Sequence, residues 1–233
     1  MSDLFYHAVR WAGWVPWMLS SRPTVLHRER VPASGRVLLA PNHLSPYDVL
    51  CLIASLHRPV DFLSITEMFR VRAVGWFFSH MNAFPLDRRR NDYGAVRAMI
   101  GRLERERALA IFPEGGIRKP SESLLAGGKF SPGIVRVARL GDAPIVPCVM
   151  LGTGVFSRPA AWAPFRRGRY GVAFGEAIRV GAGPEAKQEE KLALERLRRA
   201  YAELYQELSA ESGLDVHSQP WRTRIRAPAH PLK

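Results

Sequence analysis

The sequence predicts an α/β fold: a single domain with a mostly parallel central sheet flanked by helices, preceded by an N-terminal amphipathic helix. Three observations carry this expectation. From Thr24 onward, short apolar runs of strand length alternate with segments of helical period. Two serine-proline pairs, Ser45-Pro46 and Ser131-Pro132, stand where helices should start, placing a cap residue before a proline at the first helical position. A chain of 233 residues with 47% apolar content supplies a core for one large domain better than for two.

Residues 1–22 form the first unit. Leu4, Ala8, Trp11, Val15 and Met18 fall on one helical stripe, and Trp11, Trp14 and Trp17 recur at every third position. The segment is too short to span a bilayer, which takes roughly 20 apolar residues. His7 and Arg10 interrupt it, and Pro16 would kink it. Indole rings suit the membrane interface, so an interfacial helix is expected. A terminal helix packed on its own core is the alternative that the same stripe allows. No basic region precedes the segment and no small-residue cleavage site follows it, so it is not a secretory signal.

Residues 23–212 form the main domain. Strands are expected at Val37–Ala40, Val60–Ile65, Ala83–Leu86, Ala108–Phe112, Ile145–Met150 and Tyr170–Phe174. Helices are expected over Pro46–Leu56, Glu67–His80, Asp92–Arg105 and Pro132–Arg139. Glu185–Ser212 reads as a long charged helix that packs through Leu194, Leu197, Tyr201, Leu204 and Leu208. Residues 213–233, with three prolines and Arg222, Arg224 and Arg226, read as an irregular basic tail. Within these 233 residues no separate regulatory or membrane-spanning domain is expected.

Charge and cysteine content narrow the function classes. There are 34 Lys+Arg against 21 Asp+Glu, a formal charge of +13, and only five of the cations are lysine. Such an excess fits phosphate-bearing partners: nucleic acid, anionic lipid headgroups or a phosphorylated small molecule. Cys51 and Cys148 are the only cysteines and form no CxxC pair, which excludes a disulfide scaffold and a zinc ribbon and points to a reducing compartment. The signatures GxxxxGK[ST], GxGxxG after a strand, HExxH and GxSxG are absent, so a nucleotide cofactor, a zinc protease and a serine hydrolase lack their usual signs.

In open parallel sheets ligands sit at the carboxyl ends of strands, which directs attention to three loops. Pro41-Asn42-His43-Leu44-Ser45-Pro46-Tyr47-Asp48 follows the first main-domain strand. A carboxylate five positions after His43, in the first turn of the next helix, can fold back to the imidazole. It then fixes one ring nitrogen and leaves the other as a base for a hydroxyl. With seven His and seven Asp, chance supplies about 0.2 pairs at a given spacing, so the position on a post-strand loop carries the assignment. Ser45-x-x-Asp48 is also a capping-box pattern, which would make Asp48 a cap alone. Phe112-Pro113-Glu114-Gly115-Gly116-Ile117-Arg118 offers glycines for close backbone approach to an anion and a guanidinium fork for phosphate. Its alternative is a Gly-rich turn with an exposed Glu. Phe84-Pro85-Leu86-Asp87-Arg88-Arg89-Arg90 could clamp a phosphate or form a solvated basic turn.

These blocks, in this order over about residues 25–180, resemble the glycerolipid acyltransferase family related to 1-acyl-sn-glycerol-3-phosphate acyltransferase. The family's NHxSxxD block matches Asn42, His43, Ser45 and Asp48. Its strand ending in an Asp-Arg pair matches Phe84 to Arg88. Its FPEG block matches Phe112 to Arg118, and its strand with an internal proline matches Ile145 to Val149. Gly116 stands where Thr or Ser is usual, Arg118 comes one position late, and Phe130-Ser131-Pro132-Gly133 replaces a lysine-bearing FKxG. These departures lie in the acceptor-phosphate region.

The resemblance implies transfer of a fatty acyl group from acyl-CoA or acyl-carrier protein to a lysophospholipid hydroxyl, most simply 1-acyl-glycerol 3-phosphate to give phosphatidic acid. It implies His43 as the general base and Asp48 as its orienting partner, with no acyl-enzyme on either cysteine. Arg88 would bind the acceptor phosphate, with Glu114, Gly115, Gly116 and Arg118 shaping that site. No metal or other cofactor is implied. The membrane lipid surface is the expected partner, at its cytoplasmic face, with peripheral or monotopic attachment. The remaining arginines, including those between 166 and 169 and at 222–226, are expected to meet anionic lipid or water. Two alternatives stay open: another acceptor, such as glycerol 3-phosphate, a different lysophospholipid or an acyl-amino-acid lipid; and a basic nucleic-acid-binding protein. The second is not expected, since no RRM, KH or helix-turn-helix signature appears.

Overall fold

The computed structural model describes residues 3–86, 93–181 and 185–218. Within them seven strands form one sheet: β1 Ser21–Leu26, β2 Val37–Pro41, β3 Val60–Ile65, β4 Ala83–Leu86, β5 Ala108–Ala110, β6 Ile145–Leu151 and β7 Gly168–Phe174. Their spatial order is β1-β7-β6-β2-β5-β3-β4. β6, β2, β5, β3 and β4 are mutually parallel, and β7 runs antiparallel to β6 with β1 parallel to β7. Every residue of β2 and of β6 is buried, which is why both appear in the sequence as unbroken apolar runs with no alternation.

The helices are α1 Leu4–Ser20, α2 Asp48–Ser55, α3 Arg72–His80, α4 Tyr93–Glu104, α5 Gly133–Leu140 and α6 Ala186–Ser212. They cover both faces. Val37, Leu39, Val146, Cys148 and Met150 face one core with Tyr6 of α1 and Cys51, Leu52 and Ile53 of α2. Leu38, Ala40, Ile145, Val149 and Leu151 face the other with α4, α5 and α6. In α6 the buried stripe is Ala193, Leu197, Tyr201, Leu204 and Leu208, with Leu194 only partly buried. Gly213, at φ +65°, ends that helix in the left-handed conformation glycine favours.

Several elements differ from the sequence expectation, with β5 stopping at Ala110 and β7 beginning at Gly168 among them. β1 was not expected: SRPTVL is half-exposed and holds a proline, both tolerated at a sheet edge. The helix expected over Glu67–His80 is a 3-10 turn at Thr66–Phe69 followed by α3. The serine-proline pairs do not start their helices at proline. α2 begins at Asp48 and α5 at Gly133, while Ser45 Oγ accepts from the Tyr47 N–H and Ser131 Oγ from the Gly133 N–H. The expected helical start at Pro46 gives way to a loop because Asp48 draws the N–H groups of Leu44 and Ser45 onto its own carboxylate. Of the basic tail, residues 219–233 lie outside the described residues.

α1 turns its expected apolar stripe outward. Leu4, Ala8, Trp11, Val15 and Met18 are all exposed, Trp11 at 83%. The opposite side holds the helix: Tyr6 is fully buried, Phe5, Val9 and Trp17 pack on the core, and Trp17 Nε1 donates to Tyr170 Oη at 3.2 Å. No described helix is long and apolar enough to cross a membrane.

An ion network ties the start of α1 to the amino edge of the sheet. Arg107 donates to both oxygens of Asp3, at 2.7 and 2.9 Å, and to buried Asp61 at 2.5 Å. Arg102 meets Asp61 at 2.6 Å, and Asn82 Nδ2 bonds Asp3 at 2.8 Å. Arg107→Ala leaves the Asp61 carboxylate on Arg102 alone, and a stability loss of about 3 kcal/mol is expected in urea unfolding. The Asp3 contribution has a pH signature. Its folded pKa is lowered chiefly by the Arg107 hydrogen bonds, so its stabilisation is complete above the ordinary value of 3.8 and fades as pH falls through the lowered one. The gap between variant and parent should therefore narrow in acid.

Candidate active site

The carboxyl ends of the adjacent parallel strands β5, β2 and β6 share one edge, and three loops leave them there. Asn42, one residue beyond β2, is fully buried. Its side chain donates to the Met150 carbonyl at 3.0 Å and accepts the Met150 N–H at 2.6 Å, so it extends the β2–β6 pairing by one side chain. Tyr201 of α6 donates to the Ala40 carbonyl at 2.8 Å from the other core. The strand end that carries His43 is thus held from two sides.

His43 and Asp48 meet as the spacing suggested. His43 Nδ1 lies 2.8 Å from Asp48 Oδ2. The same oxygen accepts the Leu44 N–H at 2.8 Å and the Ser45 N–H at 2.9 Å, while Thr153 Oγ1 donates to Oδ1. An ionised carboxylate can only accept, so a neutral imidazole in this contact has its proton on Nδ1 and its lone pair on Nε2. Among the described residues nothing bonds Nε2, and the His43 side chain is 14% exposed. Phe112 lies against the imidazole, with ring centroids 4.1 Å apart and planes 30° apart. The cap and the dyad are not exclusive: Asp48 reaches back to the Ser45 N–H, as a capping box does, and also holds His43.

Glu114 occupies a supporting place. It is 2% exposed, and its oxygens accept the N–H groups of His43 and Leu124 (2.7 Å) and the Ser123 hydroxyl (2.9 Å). Burial pushes this carboxyl above the usual range, while those donors oppose the shift. Glu114 therefore shapes the site by fastening the His43 loop. Gly115 is at φ +69° and uses its N–H on the Phe112 carbonyl, so that N–H is not offered to an anion as expected. Gly116 is partly exposed beside it. The Arg118 N–H donates to the His43 carbonyl at 2.8 Å, and one edge of its guanidinium folds onto the Glu114 carbonyl at 2.6 Å. The side chain is otherwise exposed. Arg88 lies outside the described residues.

Both cysteines are buried, and burial raises both thiols, Cys51 well above its ordinary value. A thiol held in its neutral form is a poor nucleophile. Thr153 escaped the sequence reading. The one signal for it was position: a hydroxyl two residues past β6, on the same strand-end edge as His43.

Residues 22–151, more than half of the chain and including the His43–Asp48 loop, match the sequence model of the family described as Acyltransferase. The chain belongs to that family and is an enzyme of the O-acyltransferase class. Its relatives carry a more particular name. The 1-acyl-sn-glycerol-3-phosphate acyltransferase of Bacillus subtilis is 26% identical over 170 residues, 72% of this chain and 80% of that protein. The Arabidopsis thaliana chloroplast protein of the same name, LPAT1, is 30% identical over 54% of this chain, but only 35% of that longer protein is matched. The crystal structure of the 1-acyl-sn-glycerophosphate acyltransferase PlsC from Thermotoga maritima superposes with a TM-score of 0.63, covering 84% of this chain and 77% of that one, at 20% identity. This likeness establishes the mostly parallel α/β fold.

The fastening role of Glu114 is testable. Glu114→Gln sets an NH2 group against the His43 N–H, opposing one donor where the flipped amide would oppose two, and a loss of about 1–3 kcal/mol in stability is expected. Activity should fall with it, because the donor at stake includes the His43 N–H. A destabilised variant with unchanged turnover would show that the His43 loop holds its shape unaided.

Proposed function

We propose that this protein transfers a fatty acyl group from acyl-CoA or acyl-carrier protein to the free hydroxyl of a lysophospholipid, foremost 1-acyl-glycerol 3-phosphate, forming phosphatidic acid. The observation that carries the reading is His43 Nε2, unbonded among the described residues at the strand-end edge, with Nδ1 held by buried Asp48. The relatives' shared name supports 1-acyl-glycerol 3-phosphate as the acceptor.

Nε2 takes the proton of the acceptor hydroxyl as its oxygen attacks the thioester carbonyl. The tetrahedral adduct collapses, the carbon–sulfur bond breaks, and the leaving thiolate recovers the proton from the imidazolium. Asp48 stabilises that imidazolium while it exists. The thioester is already activated, so the reading uses no metal or further cofactor. Arg118, with its open guanidinium edge, and Arg88 are the proposed partners of the acceptor phosphate.

Attachment to a membrane surface rests on a continuous exposed band. Trp11, Trp14, Val15 and Met18 of α1 lie exposed. Trp76 and Phe77 of α3 flank them, packed edge-on to Phe5 at 5.1 and 6.0 Å. At the far end of α1, Trp162 stands 6.2 Å from Trp17, and exposed Phe165 donates its N–H to the Leu19 carbonyl. Arg70, Arg72, Arg166 and Arg167, all exposed, sit at the two ends. An apolar band with basic flanks suits an anionic leaflet, and we place the protein peripherally at the cytoplasmic face.

His43→Ala should reduce turnover by about 10²–10⁴-fold in a thiol-release assay with a panel of lysolipid acceptors, with the fold intact by circular dichroism. Turnover near the parent's would overturn the base assignment. A preference for another acceptor in the same panel would keep the chemistry and change the substrate. Trp11→Ala combined with Trp14→Ala should weaken sedimentation with anionic phospholipid vesicles at least about tenfold without lowering the melting temperature. Undiminished vesicle binding would remove α1 from the contact.

A further inference from the structure

We propose that Thr153 is a positioning residue of this site, whose hydroxyl sets the plane of the Asp48 carboxylate and thereby the aim of His43. The inference rests on the reading of His43 as general base.

The geometry is built for that contact. Thr153 is fully buried, as is Asp48, and their side chains are joined through Oγ1 and Oδ1 over 105 positions of sequence. Oδ2 is already crowded by His43 Nδ1 and the N–H groups of Leu44 and Ser45. Those donors hold the carboxylate at one oxygen, and it can still turn about its Cβ–Cγ bond within the angular tolerance of those hydrogen bonds. A side chain on Oδ1 fixes the second point and so the plane. That plane decides whether the Oδ2 lone pair lies along the Nδ1–H bond, and a rotation there swings Nε2 away from an acceptor hydroxyl.

The element beneath Thr153 is rigid. β6 is buried along its whole length, and Asn42 grips Met150 by both backbone groups. Gly152 then turns the chain at φ +73°. A Cβ there would meet the Arg169 carbonyl oxygen at 2.8 Å and Leu214 Cδ1 at 2.9 Å, so the turn admits little besides glycine. The loop bearing His43 and the turn bearing Thr153 are therefore referred to the same strand end.

Thr153→Val keeps shape and removes the hydroxyl. A kcat lower by about 10- to 100-fold is expected, with both KM values within about twofold of the parent's. Thr153→Ser should restore most of the kcat, because it returns the donor without the methyl group. In an Asp48→Asn background, Thr153→Val should cost little more, since Thr153 acts through that carboxylate. All rates are taken per folded molecule, with melting temperatures alongside. A parent-like kcat in Thr153→Val, a Ser variant as impaired as Val, or a full additional loss in the Asp48→Asn background would each overturn the proposal. If Thr153→Val does not fold, the Thr153→Ser rate and its combination with Asp48→Asn decide the question. An inactive His43→Ala beside a normal Thr153→Val sinks Thr153 alone; an active His43→Ala sinks the general-base reading itself.

Discussion

A single carboxylate removed from water organises the functional edge of this protein. Asp48 is fully buried, and an ion-sized charge in such a place costs several kcal/mol unless donors surround it. Its donors come from the His43 imidazole, from the backbone at Leu44 and Ser45, and from Thr153 beyond β6. Satisfying that charge shapes the loop between β2 and α2, delays the start of α2 to Asp48 itself, and draws the ends of β2 and β6 together. Glu114 repeats the device on the β5 side, where a second buried carboxylate gathers the His43 and Leu124 N–H groups and the Ser123 hydroxyl. The His43 loop is fastened from both neighbouring strands, and among the described residues nothing bonds the Nε2 of its imidazole.

The two edges of the sheet divide the work. The carboxyl edge holds the site, and the amino edge holds a lattice of arginines. Arg107 and Arg102 bracket Asp61, Arg36 pairs with Glu106 at 2.6 Å, and Arg58 donates to the Pro32 and Gly35 carbonyls at 2.8 and 2.7 Å. Arg169 likewise donates to the Ser212 carbonyl at the end of α6. Part of the positive excess that suggested phosphate partners is therefore architectural, although Arg169 stays exposed beside its one backbone contact. Arg70, Arg72, Arg166 and Arg167, at the ends of the α1 band, are exposed and lie outside that lattice.

Legibility in the sequence followed burial. The runs at Val37–Ala40 and Ile145–Met150 were readable as strands because both of their faces are covered, and the α6 stripe because one helical face is. The edge strand β1 was not, since an edge with polar residues and a proline carries no period. The serine-proline starts misled by a residue or two; at Ser45-Pro46 a local cap preference of about 1 kcal/mol yields to the demands of the buried Asp48 carboxylate. His43 and Asp48 were found from spacing and loop position. Thr153 and the Asn42 grip on Met150 were out of reach, each joining residues more than a hundred positions apart.

The residue order alone settled the alternation of strands and helices, the strand-end loops that bear His43 and Glu114, and the apolar stripe of the first helix, since all of these are local patterns of polarity and spacing. Only the tertiary structure decided which face of α1 is held, which arginines are spent on the sheet's amino edge, and which groups answer the Asp48 charge. Those choices depend on what lies within about 3 Å across strands distant in sequence, a distance at which hydrogen bonds form and which no local pattern encodes.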